Sequence, residues 1–363
     1  MRMASQGQGG EARIRAWRPR RRRMARTWLS VLAMALLTAC APSPAQLAPA
    51  TLRDQPVWPD VVPSSPVALD GPQGDRLNGR VWPHPQAEHI VLGVHGFNDH
   101  SQAFDVLAQA LNHELKATVY AYDQRGFGAN PDPGRWPGSD ALLADLRHIA
   151  RQLRAQHPGL PLTVVGESMG GALVWLAAGA EPGLVADQIV LKAPAFWGAS
   201  SMPWYQRVSL QFMNTVAPDM LLTGKGLPSL GIRPTDDPEV SRALARDPLF
   251  IKATRISSLA GVTGLMGQAQ SLTSLPAQRA LVLYGLRDRI IPARPVCDWL
   301  SQLNSAPQPQ APDFVVYPDG WHLLTRQLRT REVLEDIRLW IAHRPMPRRQ
   351  DALQAQKAVC TPP

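Results

Sequence analysis

Short apolar runs recur along the chain at intervals long enough to hold a helix. Ile90–Val94, Thr118–Tyr122, Leu162–Val165, Ile189–Leu191, Ala280–Tyr284 and Phe314–Tyr317 are almost continuously apolar, as strands buried on both faces are. Between them the period of the apolar positions changes. Leu142, Leu143, Leu146, Ile149 and Leu153 fall on one side of a helix, as do Val333, Leu334, Ile337, Trp340 and Ile341. Strands alternating with amphipathic helices predict an α/β fold, with a mostly parallel central sheet flanked by helices. Residues 66–82 read as an antiparallel edge hairpin. The alternation breaks from about 196 to 278, where Leu, Met and Trp mix with Gly and Pro and no sheet strand stands out. That stretch is too long for a simple connection and predicts a helical cap above the sheet. The main domain then spans 66–345, followed by a C-terminal tail, 346–363.

One apolar run is of another kind. Leu29-Ser-Val-Leu-Ala-Met-Ala-Leu-Leu37 follows an Arg-rich segment and precedes Thr38-Ala39-Cys40, the order of a secretory signal, and it is too short for an ordinary transmembrane helix. Leu37-Thr-Ala-Cys40 resembles a bacterial lipobox. That resemblance implies a signal peptide over 1–39, acyl chains such as palmitate on Cys40, and a mature chain anchored by lipid in the bacterial cell envelope. Ala41 stands where an Asp would retain an enteric lipoprotein at the inner membrane, so the outer membrane, facing the periplasm, is the expected site. An ordinary signal peptide that happens to contain a Cys is the alternative. Met1, Met3 and Met24 all offer workable starts. Residues 40–65 are Pro-rich and read as a semi-rigid tether.

Charge is informative only once it is divided along the chain. The net charge is +9, but residues 1–39 contain nine Arg and one acid, Glu11, so the remaining 324 residues are almost neutral with 29 basic and 28 acidic side chains. A nucleic-acid surface needs clustered Lys and Arg, and none is expected here. The hydrophobic fraction of 45% supports a real core, and 18% charged residues is too few for a disordered chain. Besides Cys40 the thiols are Cys297 and Cys360. In an oxidising compartment a disulfide stapling the tail to the body and two free thiols both fit the sequence.

Candidate chemistry sits where strands end. Gly166-Glu-Ser168-Met-Gly170 follows a strand and precedes an all-apolar helical segment, Ala172–Ala178, which is the context of a nucleophile elbow. A serine hydroxyl needs a base, and the base needs a carboxylate to orient it. Gly285-Leu-Arg-Asp288 and Pro318-Asp-Gly-Trp-His322 follow later strands in the chain order Ser, acid, His. Asp319 is a rival acid, but it lies on the histidine's own loop, and Asp298 falls within a helical pattern. The expected catalytic set is therefore Ser168, Asp288 and His322. The strand Ile90–Val94 runs into His95-Gly-Phe97-Asn-Asp-His100, and the backbone N–H groups of Phe97 and Met169 are placed to form an oxyanion hole. His95 and His100 read as loop-shaping residues, not metal ligands. Asp123-Gln-Arg-Gly-Phe-Gly128 lacks the Lys and spacing of a phosphate loop and reads as structural. No metal or cofactor is called for.

Together these pieces, with Lys192-Ala-Pro194 and Asp247-Pro-Leu249, resemble the α/β-hydrolase superfamily, and within it the monoacylglycerol lipase/lysophospholipase group of serine aminopeptidase-like hydrolases. The resemblance covers roughly residues 65–345. It implies the α/β-hydrolase fold with a helical cap and a serine hydrolase cleaving monoacylglycerol- or lysophospholipid-like esters through an acyl-enzyme. Phe97-Asn98 departs from the group's pattern of a small residue, Gly and then Glu, so long-chain specificity does not carry over. A small-ester carboxylesterase and an acyltransferase would use the same residues. A non-catalytic envelope lipoprotein that uses the fold as a binding module is the reading from another class.

Overall fold

The first described elements are the expected hairpin, β1 (Ser65–Asp70) and β2 (Arg76–Trp82), paired antiparallel. This computed structural model describes residues 58, 61–224, 231–272, 278–305 and 311–361. The expected signal peptide over 1–39, Cys40 and most of the expected tether lie outside the described residues. Then follow β3 (His89–Val94), α1 (Asp105–Leu115), β4 (Ala117–Tyr122), α2 (Ser139–Gln156), β5 (Leu162–Glu167), α3 (Met169–Gly179) and β6 (Gln188–Lys192). The cap region holds α4 (Trp204–Val216), β7 (Leu221–Thr223), α5 (Pro238–Arg246), β8 (Ala253–Arg255) and α6 (Ile256–Ser271). The chain closes with β9 (Arg279–Gly285), α7 (Ala293–Ser305), β10 (Asp313–Tyr317), α8 (Arg331–Ile341) and α9 (Ala352–Cys360).

Eight strands form the main sheet in the order β1-β2-β4-β3-β5-β6-β9-β10. β2 joins β4 antiparallel, and every pair from β4 to β10 is parallel. The apolar runs explain this arrangement. Val164 faces one core with Leu92, Ile189 and Val282, while its neighbour Val165 faces the other with Val91, Val190 and Leu281. Successive side chains on a strand point to opposite faces, so a run without polar interruptions requires helices on both sides. α1 and α8 cover one face; α2, α3, α6 and α7 cover the other. From β3 the chain steps out to β4 and then returns past β3 to β5. The crevice at the carboxyl ends of β3 and β5 is thus a topological switch point, where open parallel sheets hold their sites.

Three details differ from the sequence expectation. The cap is not wholly helical, because β7 and β8 pair as a small antiparallel ribbon. Each strand has three residues and its partner is distant in sequence, so no local period could announce it. α6, at the end of the presumed cap, is a body helix that buries Val262, Leu265, Met266 and Ala269 in the core with α3. Gly198 permits the loop after β6 to approach it closely, since a Cβ on Gly198 would lie 2.2 Å from the Gly267 Cα. The C-terminal tail is also structured. Asp351 and Gln354 form a capping box at the start of α9, Gln350 bridges to Phe314, and Cys360 is disulfide-bonded to Cys297 on α7.

In contrast to α6, α4 buries little. Trp204, Val208, Phe212 and Val216, four residues apart, form an exposed apolar stripe, and Leu221 and Leu222 of β7 are exposed as well. Among the described residues no helix is long and apolar enough to cross a membrane.

Candidate active site

Ser168 occupies the turn between β5 and α3 with φ 55° and ψ −117°, a conformation that costs a non-glycine residue about 1–3 kcal/mol. The surroundings hold it there. Its N–H donates to the Lys192 carbonyl at 2.9 Å, and its carbonyl accepts from Ala172 at 3.1 Å and Ala195 at 3.0 Å. The turn also explains the flanking glycines. A Cβ on Gly170 would lie 2.1 Å from the Val94 carbonyl oxygen, and one on Gly166 would lie 2.4 Å from that of Gly170. Only a backbone without side chains passes so close to β3.

The loop after β3 comes to the same point. A Cβ on Gly96 would sit 3.2 Å from the Ser168 Cβ, so the two loops carrying Phe97 and Met169 meet at the serine. His95 fixes this loop from beneath. The Gln124 N–H donates to its Nε2 at 2.9 Å, which leaves Nδ1 to carry the proton and donate to the Gly96 carbonyl at 2.8 Å. Burial disfavours its cationic form. Asp123 accepts from the N–H groups of Ser101 at 2.8 Å and Ala129 at 2.9 Å, so the Asp123–Gly128 turn supports this loop. The Phe97 ring packs edge-on against Phe127 at 5.7 Å and lies 6.5 Å from Trp136. Together the three rings form an aromatic cluster at this loop, with Phe127 fully buried.

On the far side of the elbow, the loops after β9 and β10 bring Asp288 and His322 into contact. His322 Nδ1 donates to Asp288 Oδ2 at 2.7 Å, and Asp288 Oδ1 accepts from the N–H groups of Ile290 at 2.8 Å and Ile291 at 2.9 Å. Both side chains are buried. Burial opposes the charged imidazole, but the Asp288 carboxylate and its hydrogen bond outweigh it, and Glu167 adds to them, so the His322 pKa lies above the ordinary histidine value. With Nδ1 occupied, Nε2 remains for a proton arriving from elsewhere. Asp319 points to other partners, Arg287 and Arg329, and Asp298 lies within α7.

The cap is tied to both loops. Ile251 N–H donates to the Asn98 carbonyl at 2.9 Å, Asn98 Nδ2 donates to Thr254 Oγ1 at 2.7 Å, and His100 Nε2 lies 2.8 Å from Asp247 Oδ2. On the histidine side, Leu323 N–H donates to the Pro234 carbonyl at 2.9 Å and Leu328 N–H donates to Asp236 Oδ1 at 2.9 Å.

The pairing of four buried charged residues escaped the sequence reading. Glu167, Lys192, Arg326 and Asp99 form a connected cluster beneath the serine. The available signal was a charge inside an apolar context, such as Lys192 at the end of Gln188-Ile-Val-Leu-Lys192, since a buried charge requires a partner.

With these positions in view, comparison with known proteins places the chain in a family. Residues 85–328 match the family model described as serine aminopeptidase, S33. The chain is 25% identical over 284 residues to a monoglyceride lipase of Homo sapiens, covering 75% of this chain and 88% of that one. It is 26% identical over 282 residues to a monoacylglycerol lipase of Mycolicibacterium smegmatis, covering 75% and 94%. A soluble variant of monoglyceride lipase from Saccharomyces cerevisiae has the same fold, with a TM-score of 0.62 at 17% identity over 84% of this chain and 99% of that one. The chain is therefore a serine ester hydrolase of the α/β-hydrolase fold and belongs to the serine aminopeptidase, S33 family.

Proposed function

We propose that the protein hydrolyses monoacylglycerol- or lysophospholipid-like esters with Ser168 as nucleophile, His322 as general base and acid, and Asp288 as the carboxylate that orients His322. The observation that carries this reading is the buried His322–Asp288 pair on loops that flank the Ser168 elbow. Ser168 Oγ attacks the ester carbonyl as His322 Nε2 takes its proton. The oxyanion forms beside the N–H groups of Phe97 and Met169. Collapse releases the alcohol, which receives the proton from His322 and leaves an acyl-enzyme. Water, deprotonated by the same nitrogen, then frees the carboxylic acid and restores the serine. An apolar acyl group is favoured by the half-buried Phe97 and Trp136 rings and by the exposed apolar stripe on α4.

A fluorophosphonate probe is expected to label the folded protein stoichiometrically at Ser168. Monoacylglycerols and lysophospholipids of graded acyl length should be turned over faster than triacylglycerols. A folded protein that neither labels nor cleaves any ester would overturn the assignment. Turnover limited to acetate and butyrate esters would keep the chemistry and remove the lipid substrate.

The same proposal places the mature chain at the cell envelope, lipid-anchored through Cys40 with residues 40–65 as the tether and the outer membrane as its site. The near-neutral composition after residue 39 supports a lipid anchor over a basic patch as the means of attachment. Cys40→Ala should move the protein from the membrane fraction to the soluble fraction. Unchanged partitioning would refute the anchor.

A further inference from the structure

The charge cluster beneath Ser168 joins loops that are far apart in sequence. Glu167, next to the serine, places Oε2 2.8 Å from Lys192 Nζ and Oε1 2.5 Å from Arg326 Nη2. The same Arg326 nitrogen donates to Asp99 Oδ2 at 2.6 Å. Lys192 Nζ also donates to Thr325 Oγ1 at 2.8 Å and lies over the Phe104 ring. Asp99 Oδ1 accepts from the His100 N–H at 2.9 Å. Asp99 belongs to the oxyanion loop, Glu167 to the elbow, Lys192 to the end of β6, and Thr325 and Arg326 to the loop of His322. All four charged residues are buried, and two anions meet two cations.

We propose that Glu167, Arg326, Lys192 and Asp99 form a charge-balanced positioning unit that locks the three catalytic loops together and sets the electrostatic field at His322. This rests on the Ser168–His322–Asp288 reading above.

Stability alone does not account for such a cluster, because well-packed apolar residues commonly replace buried ion pairs at no cost. What apolar residues cannot supply is direction. Arg326 must lie between two carboxylates at once, and that fixes the His322 loop, through its own backbone, against both the elbow and the oxyanion loop. The charged groups that reach His322 are Asp288 from the β9 loop, Glu167 from the elbow and Arg326 from its own loop. Glu167 favours the imidazolium and Arg326 disfavours it, so neutrality of the cluster leaves Asp288 as the dominant charged group acting on it. Burial opposes ionisation of Glu167, yet Arg326 and Lys192 hold its carboxyl down at about 2, so the balance persists across the working range of a histidine.

The test is the acidic limb of kcat/KM against pH on p-nitrophenyl butyrate. In the wild type this limb should lie above the ordinary histidine value. Glu167→Gln leaves the cluster with one excess positive charge, disfavours the imidazolium, and should move the limb down by about one pH unit. Arg326→Met leaves one excess negative charge and should move it up by a similar amount. Asp99→Asn and Lys192→Met are the second members of each sign, should either first variant fail to fold. In Glu167→Gln/Lys192→Met neutrality returns, so the limb should return toward wild type while kcat stays roughly tenfold or more below it through lost positioning. Limbs that do not move, or that all move in one direction, would overturn the inference while labelling of wild-type Ser168 stands. Absence of wild-type labelling would overturn both readings.

Discussion

Replacing Ser168 with alanine is expected to lower kcat for a p-nitrophenyl ester by about 10⁵- to 10⁶-fold and to leave Tm within about 2 °C of wild type. On the proposed triad, removing its nucleophile leaves only the oxyanion hole and binding to act on the substrate. The small stability effect follows from the turn. Alanine keeps the Cβ, so it accepts the φ of 55° with the same strain as serine, and the bonds that hold the elbow are made by the Ser168 backbone, not its hydroxyl. Gly166 and Gly170, whose missing side chains let the turn pass β3, are untouched. Two measurements on one sample therefore separate chemistry from folding. Loss of both turnover and thermal stability would mean that Ser168 is structural, and retained turnover would mean that another nucleophile acts.

This separation shows what the sequence could and could not reveal. The elbow is legible because its requirement is local: a strand, small residues two positions either side of a serine, and an apolar helix. Asp288 and His322 are legible for a related reason, since strand ends in a parallel sheet gather on one edge whatever their order in the chain. Asp319, closer to His322 in sequence, lost to Asp288 through geometry alone. On one loop it faces Arg287 and Arg329, while the β9 loop beside it presents a carboxylate to Nδ1. The ribbon of β7 and β8, the docking of α6 on α3 and the cluster around Glu167 depend on contacts between segments tens of residues apart. No period along the chain encodes them. Arg326 looks like an ordinary surface arginine until the fold brings Asp99 and Glu167 to it.

The tail makes the same point with a measurable consequence. Eliminating the Cys297–Cys360 bond, by Cys297→Ala/Cys360→Ala or by reduction, is expected to lower stability by up to about 4 kcal/mol. The bond closes a loop with a sequence separation of 63, and the entropy it removes from the unfolded chain grows with the logarithm of loop length. For a domain of this size that is a fall in Tm on the order of 10 °C. The native state offsets little of this loss. α9 buries Ala352, Ala355 and Val359 and is joined to α7 by Asn304 Nδ2 donating to the Ala352 carbonyl at 3.1 Å and by Gln356 Nε2 donating to Ser301 Oγ at 2.8 Å. Those contacts keep the helix docked without the bond, so the loss should appear in the global transition of a urea or thermal melt and leave kcat near wild type. If α9 came away first, amide exchange over 352–360 would rise while the main transition stayed in place, and the entropic account would be wrong. An unchanged melt in dithiothreitol would show that the bond contributes nothing. The bridge also couples stability to compartment, because the thiols pair only where the surroundings are oxidising. On the proposed envelope location, the chain would gain its full stability after export, when the acyl anchor and the disulfide are both in place.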